Sequence, residues 1–391
     1  MRQMWLEALL SLSVLFWIIF AFITLYNSKN FPMASSKERK FSGLASIIIP
    51  CRNEERRIGK CVKSLKEQSY KNFEVIVVDD STDRTVEVIK EETKGDDRFR
   101  IIKQDKLPEG WLGKSFALQQ GSKLAKGEYL IFIDADVYLE KNAIEDALGF
   151  ALEKNVDMLS LAPKHICKTF WENVIQPIPL CSLALLSPPA KINDPKSEIA
   201  LAAGPFIAIK REVFENVGGY TAIKDRIADD AELAKLVKKK GFRLIFAKGQ
   251  HLLKVRMYEG LRDAWEGWSK VSFAGFVQKR EIKSRFAQVV LFLLIMFIMI
   301  VSFPLPFASL LISIPLHLRN AFFLSLMAFS MSVLSMAYAQ RVYKIGNPAY
   351  APLVILIGGI LMIGIVANSA IRTLLGKGVR WKGKTYMVKA K

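Results

Sequence analysis

The chain has 391 residues, of which 51 % are hydrophobic, and its 56 Lys and Arg against 37 Asp and Glu give a formal net charge of +19. This length suffices for two or three domains, and the basic balance first suggests nucleic acid. No zinc-finger spacing and no RNA-binding aromatic signature accompanies it, so we predict no nucleic-acid partner and look to a membrane for the excess charge.

The first predicted element is a membrane anchor over residues 1–30. Residues 8–26 carry no charge and are long enough to cross a bilayer. No small-residue cleavage site follows, which favours a retained anchor over a signal peptide. Four basic residues lie between Lys29 and Lys40, so the positive-inside rule places the N-terminus outside and the following domain in the cytoplasm of an integral membrane protein.

The middle of the chain, residues 43–256, alternates strand-like and helix-like patterns. The runs LASIIIP, FEVIVV and EYLIFI are short, apolar and rich in β-branched and aromatic residues, as buried parallel strands are. After the first run, apolar residues recur at helical spacing from Ile58 to Leu65. The alternation predicts a doubly wound α/β sheet, whose ligands bind at the carboxyl ends of the strands.

Polar residues follow each of these three predicted strands. Asn53 and Glu54 follow the first, residues 79–83 of sequence DDSTD follow the second, and Asp134 and Asp136 follow the third. Each group also has a purely structural interpretation, since Asp83 suits the cap of a helix near Thr85 and Asn53 suits a turn. Together they predict a polar site along one edge of the sheet.

Asp134 and Asp136 stand one residue apart where an apolar run ends. Two carboxylates this close repel each other unless a cation lies between them. Hard oxygen ligands of this kind suit Mg²⁺ or Mn²⁺, and substrate phosphates complete the coordination of such ions. Because the predicted α/β region, residues 43–256, has neither a Walker motif nor GxGxxG, the spacing favours an ion with a bound diphosphate.

Six segments in this order resemble family 2 glycosyltransferases, which have the GT-A fold of nucleotide-diphospho-sugar transferases: ASIIIPCRNEE, VIVVDDSTDRT, LPEGWLGKSFALQQG, IFIDADV, GPFIAIKREVFENVGGY and ADDAELAKLVKKKGFRL. The stretch GWLGKSFALQQG and the terminal WKGKTY resemble membrane-embedded members that glycosylate lipids. The closest in pattern are the hopanoid-associated, carotenoid and ceramide glucosyltransferase-like enzymes.

The resemblance implies roles for individual residues. The donor would be bound by Pro50, Asn53, Glu54, Asp80, Lys114, Asp134 and Ala135. Asp134 and Asp136 would hold the metal, and Phe206 would contact the acceptor. Asp230 occupies the place of the catalytic carboxylate, although the pair is Asp229-Asp230 here and Glu-Asp in the family. Helix capping at the Asp pair and a solvated surface lysine at Lys114 are the structural alternatives.

The acceptor side is predicted to lie at the membrane surface. Residues 257–285 begin with an amphipathic stretch that suits an interfacial helix. Its Arg262 and Trp265 are candidate acceptor-binding residues, and an ordinary anchoring helix is the alternative. Arg262-x-x-Trp265 differs from the Gln-x-x-Arg-Trp motif of processive relatives, which argues against a polymerase. Residues 170–190 are apolar and interrupted by prolines, so they either dip into the bilayer or pack in the core.

The region 286–372 contains three uncharged stretches, 286–316, 320–340 and 351–371. The first is long for one span, and its prolines allow one kinked helix or two short ones. Two helices would return the basic tail, residues 373–391, to the cytoplasm, so we predict five spans in all.

These observations predict an inverting, divalent-metal-dependent transfer of a single sugar from a nucleotide-diphosphate sugar to a lipid hydroxyl. A polyprenyl-phosphate glycosyltransferase is the first alternative, because its acceptor needs no strong base. A non-catalytic nucleotide-sugar-binding membrane protein is the second.

Overall fold

The computed structural model describes residues 2–36, 40–279, 282, 284–381 and 384–386. The chain forms two compact units. The sheet unit comprises Asn30–His165 and Pro189–Met257, and the helical unit comprises Met1–Lys29, Ile166–Pro188 and Tyr258–Lys391. The segment Ile166–Pro188, which the sequence pattern included in the domain 43–256, therefore belongs with the helical unit. Of the predicted basic tail, residues 382–383 and 387–391 lie outside the described residues.

The centre of the sheet unit is a seven-stranded mixed sheet. Its strands lie side by side in the order Phe99–Lys103, Phe73–Asp79, Ala45–Cys51, Tyr129–Phe132, Ile207–Lys210, Met158–Ala162 and Leu244–Lys248. The three strands predicted from the sequence are parallel to one another. Ile207–Lys210 runs antiparallel to both of its neighbours, so the residues before it reach the edge where its parallel neighbours end.

Both faces of this sheet are covered, as the continuous apolar runs of its strands predict. Along the first strand, Ile47 and Ile49 belong to one buried cluster, whereas Ile48 belongs to the cluster on the opposite face. All three side chains are fully buried. Successive side chains of a strand point to opposite faces, so the two clusters enclose the sheet and leave its strand ends as the accessible edge.

The helices of the sheet unit connect the strands. The helix Ile58–Lys66 buries the residues that the spacing placed on one face, Ile58, Cys61, Val62 and Leu65, which confirms that prediction. The other helices are Thr85–Thr93, Gly113–Leu124, Ala143–Glu153, Pro189–Asn193, Arg211–Asn216 and Asp229–Lys239, with a 3-10 turn at Gly219–Ile223. A smaller three-stranded sheet consists of Val137–Leu139, Leu253–Val255 and Lys164–His165.

Within the described residues, four helices are long and apolar enough to cross a membrane: Gln3–Asn30, Arg285–Ser302, Arg319–Tyr343 and Pro348–Leu374. The predicted stretch 286–316 forms two helices, Arg285–Ser302 and Pro304–Ser313, because Pro304 begins the second one. Ten residues of helix rise about 15 Å, half the thickness of a hydrocarbon core. A fifth span at this helix stays a prediction.

The predicted interfacial segment consists of two helices, Leu261–Val271 and Phe273–Lys279. The first buries Ala264, Gly267 and Trp268, and Trp268 packs edge-to-face on Tyr258 with ring centroids 5.6 Å apart. Its other face is exposed and charged. This amphipathic arrangement agrees with the sequence pattern, and its placement at a bilayer surface stays a prediction.

Candidate active site

The loops after the first two strands are joined by hydrogen bonds around Asn53. This residue has a φ of 54°, in the left-handed region where asparagine is enriched. Its Oδ1 accepts from the Thr82 N–H at 2.9 Å, and its own N–H donates to Ser81 Oγ at 2.8 Å. The turn that the sequence permitted at Asn53 therefore fixes both loops side by side at the strand ends.

Ion pairs occupy the next positions along these loops. Asp80 pairs with Arg52, and the Arg57 Nη1 atom lies 3.8 Å from Glu54 Oε2. Asp83 accepts hydrogen bonds from the N–H and hydroxyl of Thr85, where the helix Thr85–Thr93 begins. Partial burial opposes these bonds, but their sum lowers the pKa of Asp83. Asp83 thus has the structural role that the sequence left open for it.

A cavity lies beside the end of the strand Tyr129–Phe132. Its charged and polar lining consists of Lys114, Asp134, Gly204, Tyr220, Asp229 and Asp230. The Lys114 Nζ atom pairs with Asp134 Oδ1 at 2.6 Å. Burial lowers the pKa of Lys114, but the charges of Asp134, Asp229 and Asp230 outweigh it, so the net shift is upward and this side chain is a cation at neutral pH.

Asp230 is held by two backbone donors at the start of the helix Asp229–Lys239. Its Oδ2 accepts from the Gly204 N–H at 3.0 Å, and its Oδ1 accepts from the Ala231 N–H at 2.7 Å. Burial and the charge of Asp229 raise the pKa of Asp230 to about 6, against the opposing effect of Lys114. The carboxylate is therefore ionised at neutral pH and close enough to its pKa to exchange a proton, as a general base must.

Asp136 lies at the other end of the Asp-x-Asp motif. Burial raises its pKa to about 7, and the charges of Asp134 and Glu54 add to this effect, while Arg57 and Lys114 oppose it. The side chains of Asp134 and Asp136 are 29 % and 19 % exposed, so both are accessible. A cation here would relieve the repulsion by Asp134 and Glu54 that adds to the effect of burial.

These residues fit a divalent ion of the predicted kind. Within the described part of the chain, no group of three or more His, Cys, Asp or Glu side chains is placed to hold an ion. Mg²⁺ and Mn²⁺ sites of one or two carboxylates are completed by water and substrate phosphates. Asp134 and Asp136 would supply the carboxylates of such a site, and a substrate phosphate and water would complete it.

The three predicted acceptor-binding residues are not among those that line this cavity. Phe206 is fully buried in the hydrophobic core, so its side chain has no surface for the predicted contact with an acceptor. Arg262 and Trp265 belong to the helical unit, where Arg262 is exposed and pairs with Glu266. Pro50 lies on the first strand beside Val78, and Ala135 is buried between the two aspartates.

Three further residues at the site were not singled out from the sequence: Gly204, Tyr220 and Arg57. Tyr220 is 1 % exposed and lines the cavity. Burial raises its pKa, and the charges of Asp229, Asp230 and Asp134 reinforce the shift, so its hydroxyl keeps its proton. Gly204 and Tyr220 belong to the segment GPFIAIKREVFENVGGY. The strand in this segment, Ile207–Lys210, is antiparallel to its neighbours, and its sequence does not indicate that direction.

We expect Gly204→Ala to disturb the site while leaving the fold intact. A Cβ at this position would lie 3.1 Å from Asp134 Oδ2, 3.2 Å from Lys114 Nζ and 3.4 Å from Asp230 Oδ2. The first two distances are tight, so Asp134 and Lys114 must shift, and small displacements of groups at a reacting centre are costly, so turnover should fall by about 10-fold or more. Gly260→Ala is the matched control, because a Cβ there meets nothing within 4 Å. Equal turnover of both variants, measured with saturating donor, would contradict this prediction.

The structure superposes on that of the mannosyltransferase PcManGT from Pyrobaculum calidifontis, solved in complex with GDP-Man and Mn2+, with a TM-score of 0.55. The match covers 94 % of this chain and 99 % of that one at 19 % identity. The sheet unit therefore has the GT-A-like fold that the sequence predicted.

The family follows from the sequence match. Residues 46–218 match the family model described as glycosyl transferase family 2, which confirms the predicted resemblance to that family. Relatives named 4,4'-diaponeurosporenoate glycosyltransferase from Staphylococcus haemolyticus and Staphylococcus aureus are each 29 % identical over 228 residues. The match covers 58 % of this chain and 60 % of the length of these relatives.

Proposed function

We propose that the chain is a membrane-bound, inverting, divalent-metal-dependent glycosyltransferase that moves one sugar from a nucleotide-diphosphate sugar to a lipid hydroxyl. The observation that supports it best is the convergence of an ionised carboxylate and a lysine on one cavity. Asp230 is held by the Gly204 N–H, and Lys114 pairs with Asp134 beside it. A base and a cation are the two protein groups that such a displacement needs.

The donor would bind along the edge of the strand ends. Pro50, Asn53, Glu54 and Asp80 follow or end the first two strands and would hold the nucleoside, while Asp134 and Ala135 would face the ribose. Lys114 would face the diphosphate. The likeness in fold to PcManGT, which was solved with GDP-Man and Mn2+, agrees with a donor of this class.

Transfer needs two kinds of assistance, removal of a proton from the acceptor and neutralisation of the charge on the departing diphosphate. Asp230 would accept the proton of the acceptor hydroxyl as its oxygen bonds to the anomeric carbon, and attack opposite the leaving group inverts the configuration there. Lys114 would stay protonated and neutralise part of the charge that develops on the diphosphate. An ion held by Asp134 and Asp136, Mg²⁺ or Mn²⁺, would supply the rest of that neutralisation. Tyr220, which keeps its proton, would limit the access of water to Asp230.

The lipid acceptor is proposed from the helical unit and the relatives. Four helices of the described chain are long and apolar enough to cross a membrane, which supports an acceptor in the bilayer, and the relatives are named for the glycosylation of diaponeurosporenoate. That name denotes a carboxylate. The name of these relatives thus favours a second candidate, in which the acceptor is already ionised. Polyprenyl phosphates belong to the same class of ionised acceptors.

Transfer assays test the proposal directly. Purified protein in detergent is incubated with UDP- and GDP-sugars, Mn²⁺ and a lipid extract, and the products are analysed by mass spectrometry. We expect a lipid whose mass has increased by one hexose or N-acetylhexosamine. Binding of the nucleotide sugars with neither transfer nor hydrolysis would favour the non-catalytic alternative and contradict the proposal.

We further propose that the sheet unit faces the cytoplasm, because basic residues follow the first span. Cysteines replacing Ser35 and Ala390 should both stay unlabelled by an impermeant thiol reagent in intact cells, in a background without reactive native thiols. Labelling at position 390 alone would indicate four spans in place of five. Labelling at position 35 would contradict the orientation.

A further inference from the structure

Each carboxylate of the Asp-x-Asp motif already has a cation of the protein beside it. Lys114 Nζ lies 2.6 Å from Asp134 Oδ1, and Arg57 Nη1 lies 3.9 Å from Asp136 Oδ2. Arg57 also lies 3.8 Å from Glu54, and its side chain is 20 % exposed. The two cations come from different elements, Lys114 from the helix Gly113–Leu124 and Arg57 from the turn before the helix Ile58–Lys66.

These cations and a divalent ion would compete for the charge of the same two carboxylates. Partly buried carboxylates that repel each other need counter-charge, and Lys114 and Arg57 supply it when no ion is bound. A metal bound by Asp134 and Asp136 would therefore place its positive charge next to both of them. The positive charges of Lys114 and Arg57 would repel a doubly charged metal, unless an anion binds beside them and neutralises this charge.

The donor diphosphate is such an anion. We propose that Arg57 and Lys114 are resident counter-ions, which hold Asp134 and Asp136 while the donor is absent and pass to the diphosphate when metal and donor bind together. Arg57 is thereby a positioning residue that makes metal binding depend on donor binding. This inference rests on the proposed function, because it requires a nucleoside diphosphate beside the Asp-x-Asp motif.

The coupling has a measurable sign. Without a donor, Arg57→Gln should bind Mn²⁺ more tightly than the wild type, because the competing cation is gone. With a nucleoside diphosphate, the wild type should gain more affinity for Mn²⁺ than the variant gains. Coupling between ligands is commonly 5- to 150-fold, so we expect donor-free affinity to rise roughly 3- to 10-fold and the enhancement by the diphosphate to shrink by a similar factor.

Mn²⁺ binding is measured on the full chain in detergent from the electron paramagnetic resonance signal of the free ion, with and without UDP or GDP. Arg56→Gln is the matched control, since Arg56 is exposed and the substitution removes the same charge one residue away. Its Mn²⁺ affinity should stay within about twofold of the wild type, as expected for screened surface charges. Arg57→Lys should restore most of the coupling.

Two outcomes separate this inference from the proposed function. If the wild type binds no Mn²⁺ even with UDP or GDP, the metal site itself is contradicted. If the wild type binds Mn²⁺ but Arg57→Gln binds it no more tightly than Arg56→Gln does, only the counter-ion role is overturned. Lys114→Gln provides a second test at Asp134, with the same expected sign, and unchanged far-ultraviolet circular dichroism establishes that each variant is folded.

Discussion

Asp230→Asn should lower turnover with the native lipid on the order of 10²–10⁴-fold and change donor affinity little. The substitution keeps the size of the side chain and an oxygen for the Gly204 N–H, which lies 3.0 Å from Asp230 Oδ2. It removes the group that can take a proton. If the acceptor is a hydroxyl, the proton must leave as the new bond forms, so the loss falls on the chemical step and appears in kcat.

The pH profile gives the same residue a second signature. Because burial and Asp229 raise the pKa of Asp230 to about 6, kcat/KM of the wild type should fall as the pH drops below that value. Protonated Asp230 cannot act as a base. Asp229→Asn removes one cause of the raised pKa, so it should shift the fall to lower pH and reduce turnover less than Asp230→Asn does.

Near-wild-type turnover of Asp230→Asn would exclude this residue as the base. That result would favour an acceptor that is already ionised, such as a lipid phosphate or carboxylate, because such an oxygen needs no proton removed. The same steady-state assay therefore distinguishes the hydroxyl acceptor from both ionised ones. Loss of donor binding in the variant, measured separately, would indicate a structural role for Asp230 and leave the base unassigned.

The strand ends were predictable because their determinants are local. Each of the first three strands is a continuous apolar run buried on both faces, and parallel strands end at the same edge. A run such as Val75–Val78 has no solvent face, so its end is marked by the first charged residues, Asp79 and Asp80. The same rule places Asn53 after the first strand and Asp134 after the third.

The rest of the site depends on contacts between distant residues. Gly204 reaches Asp230 because Ile207–Lys210 runs antiparallel to its neighbours, and a four-residue apolar run does not encode its direction. The pairing of Arg57 with Asp136 joins residues from two loops. The burial of Phe206 likewise follows from the packing of both sheet faces, which one segment cannot reveal.

The division of the chain into two units has a similar origin. Residues 166–188 are apolar and contain two short helices, Phe170–Ile175 and Pro177–Leu186. Such a pattern is compatible with a domain core as well as with a membrane region. Only the contacts of these helices within the helical unit distinguish the two, and these involve residues far along the chain.

Asp136→Asn should lower turnover by at least about 10³-fold and remove the Mn²⁺ dependence of nucleotide binding, and excess EDTA should inactivate the wild type. The reason is that Asp136 is one of the two carboxylates that we propose hold the ion. Full activity of the wild type in EDTA would contradict a metal-dependent mechanism.

The same substitution should stabilise the metal-free protein. The pKa of Asp136 is raised to about 7 in the folded state, so the folded protein retains a proton there that the unfolded chain has lost. Stability therefore decreases as the pH rises from about 4 to about 7, and Asn abolishes this loss. At pH 8 without metal, Asp136→Asn should be more stable by about 2 kcal/mol, and the advantage should vanish near pH 4.

Two further measurements make the sign of this effect diagnostic. Asp83→Asn is the opposite control, because the pKa of Asp83 is lowered and its ionised form stabilises the fold above about pH 4, so the variant should be less stable at pH 8. Excess Mn²⁺ with a nucleoside diphosphate should reverse the order for Asp136, since ligands bind and stabilise only the folded wild type. Thermal melts at pH 4 and pH 8, with and without Mn²⁺, measure all four cases. A metal-free Asp136→Asn protein that melts below the wild type at pH 8 would contradict this prediction. It would show that the ionised Asp136 stabilises the fold through its ion pairs even when no metal is bound.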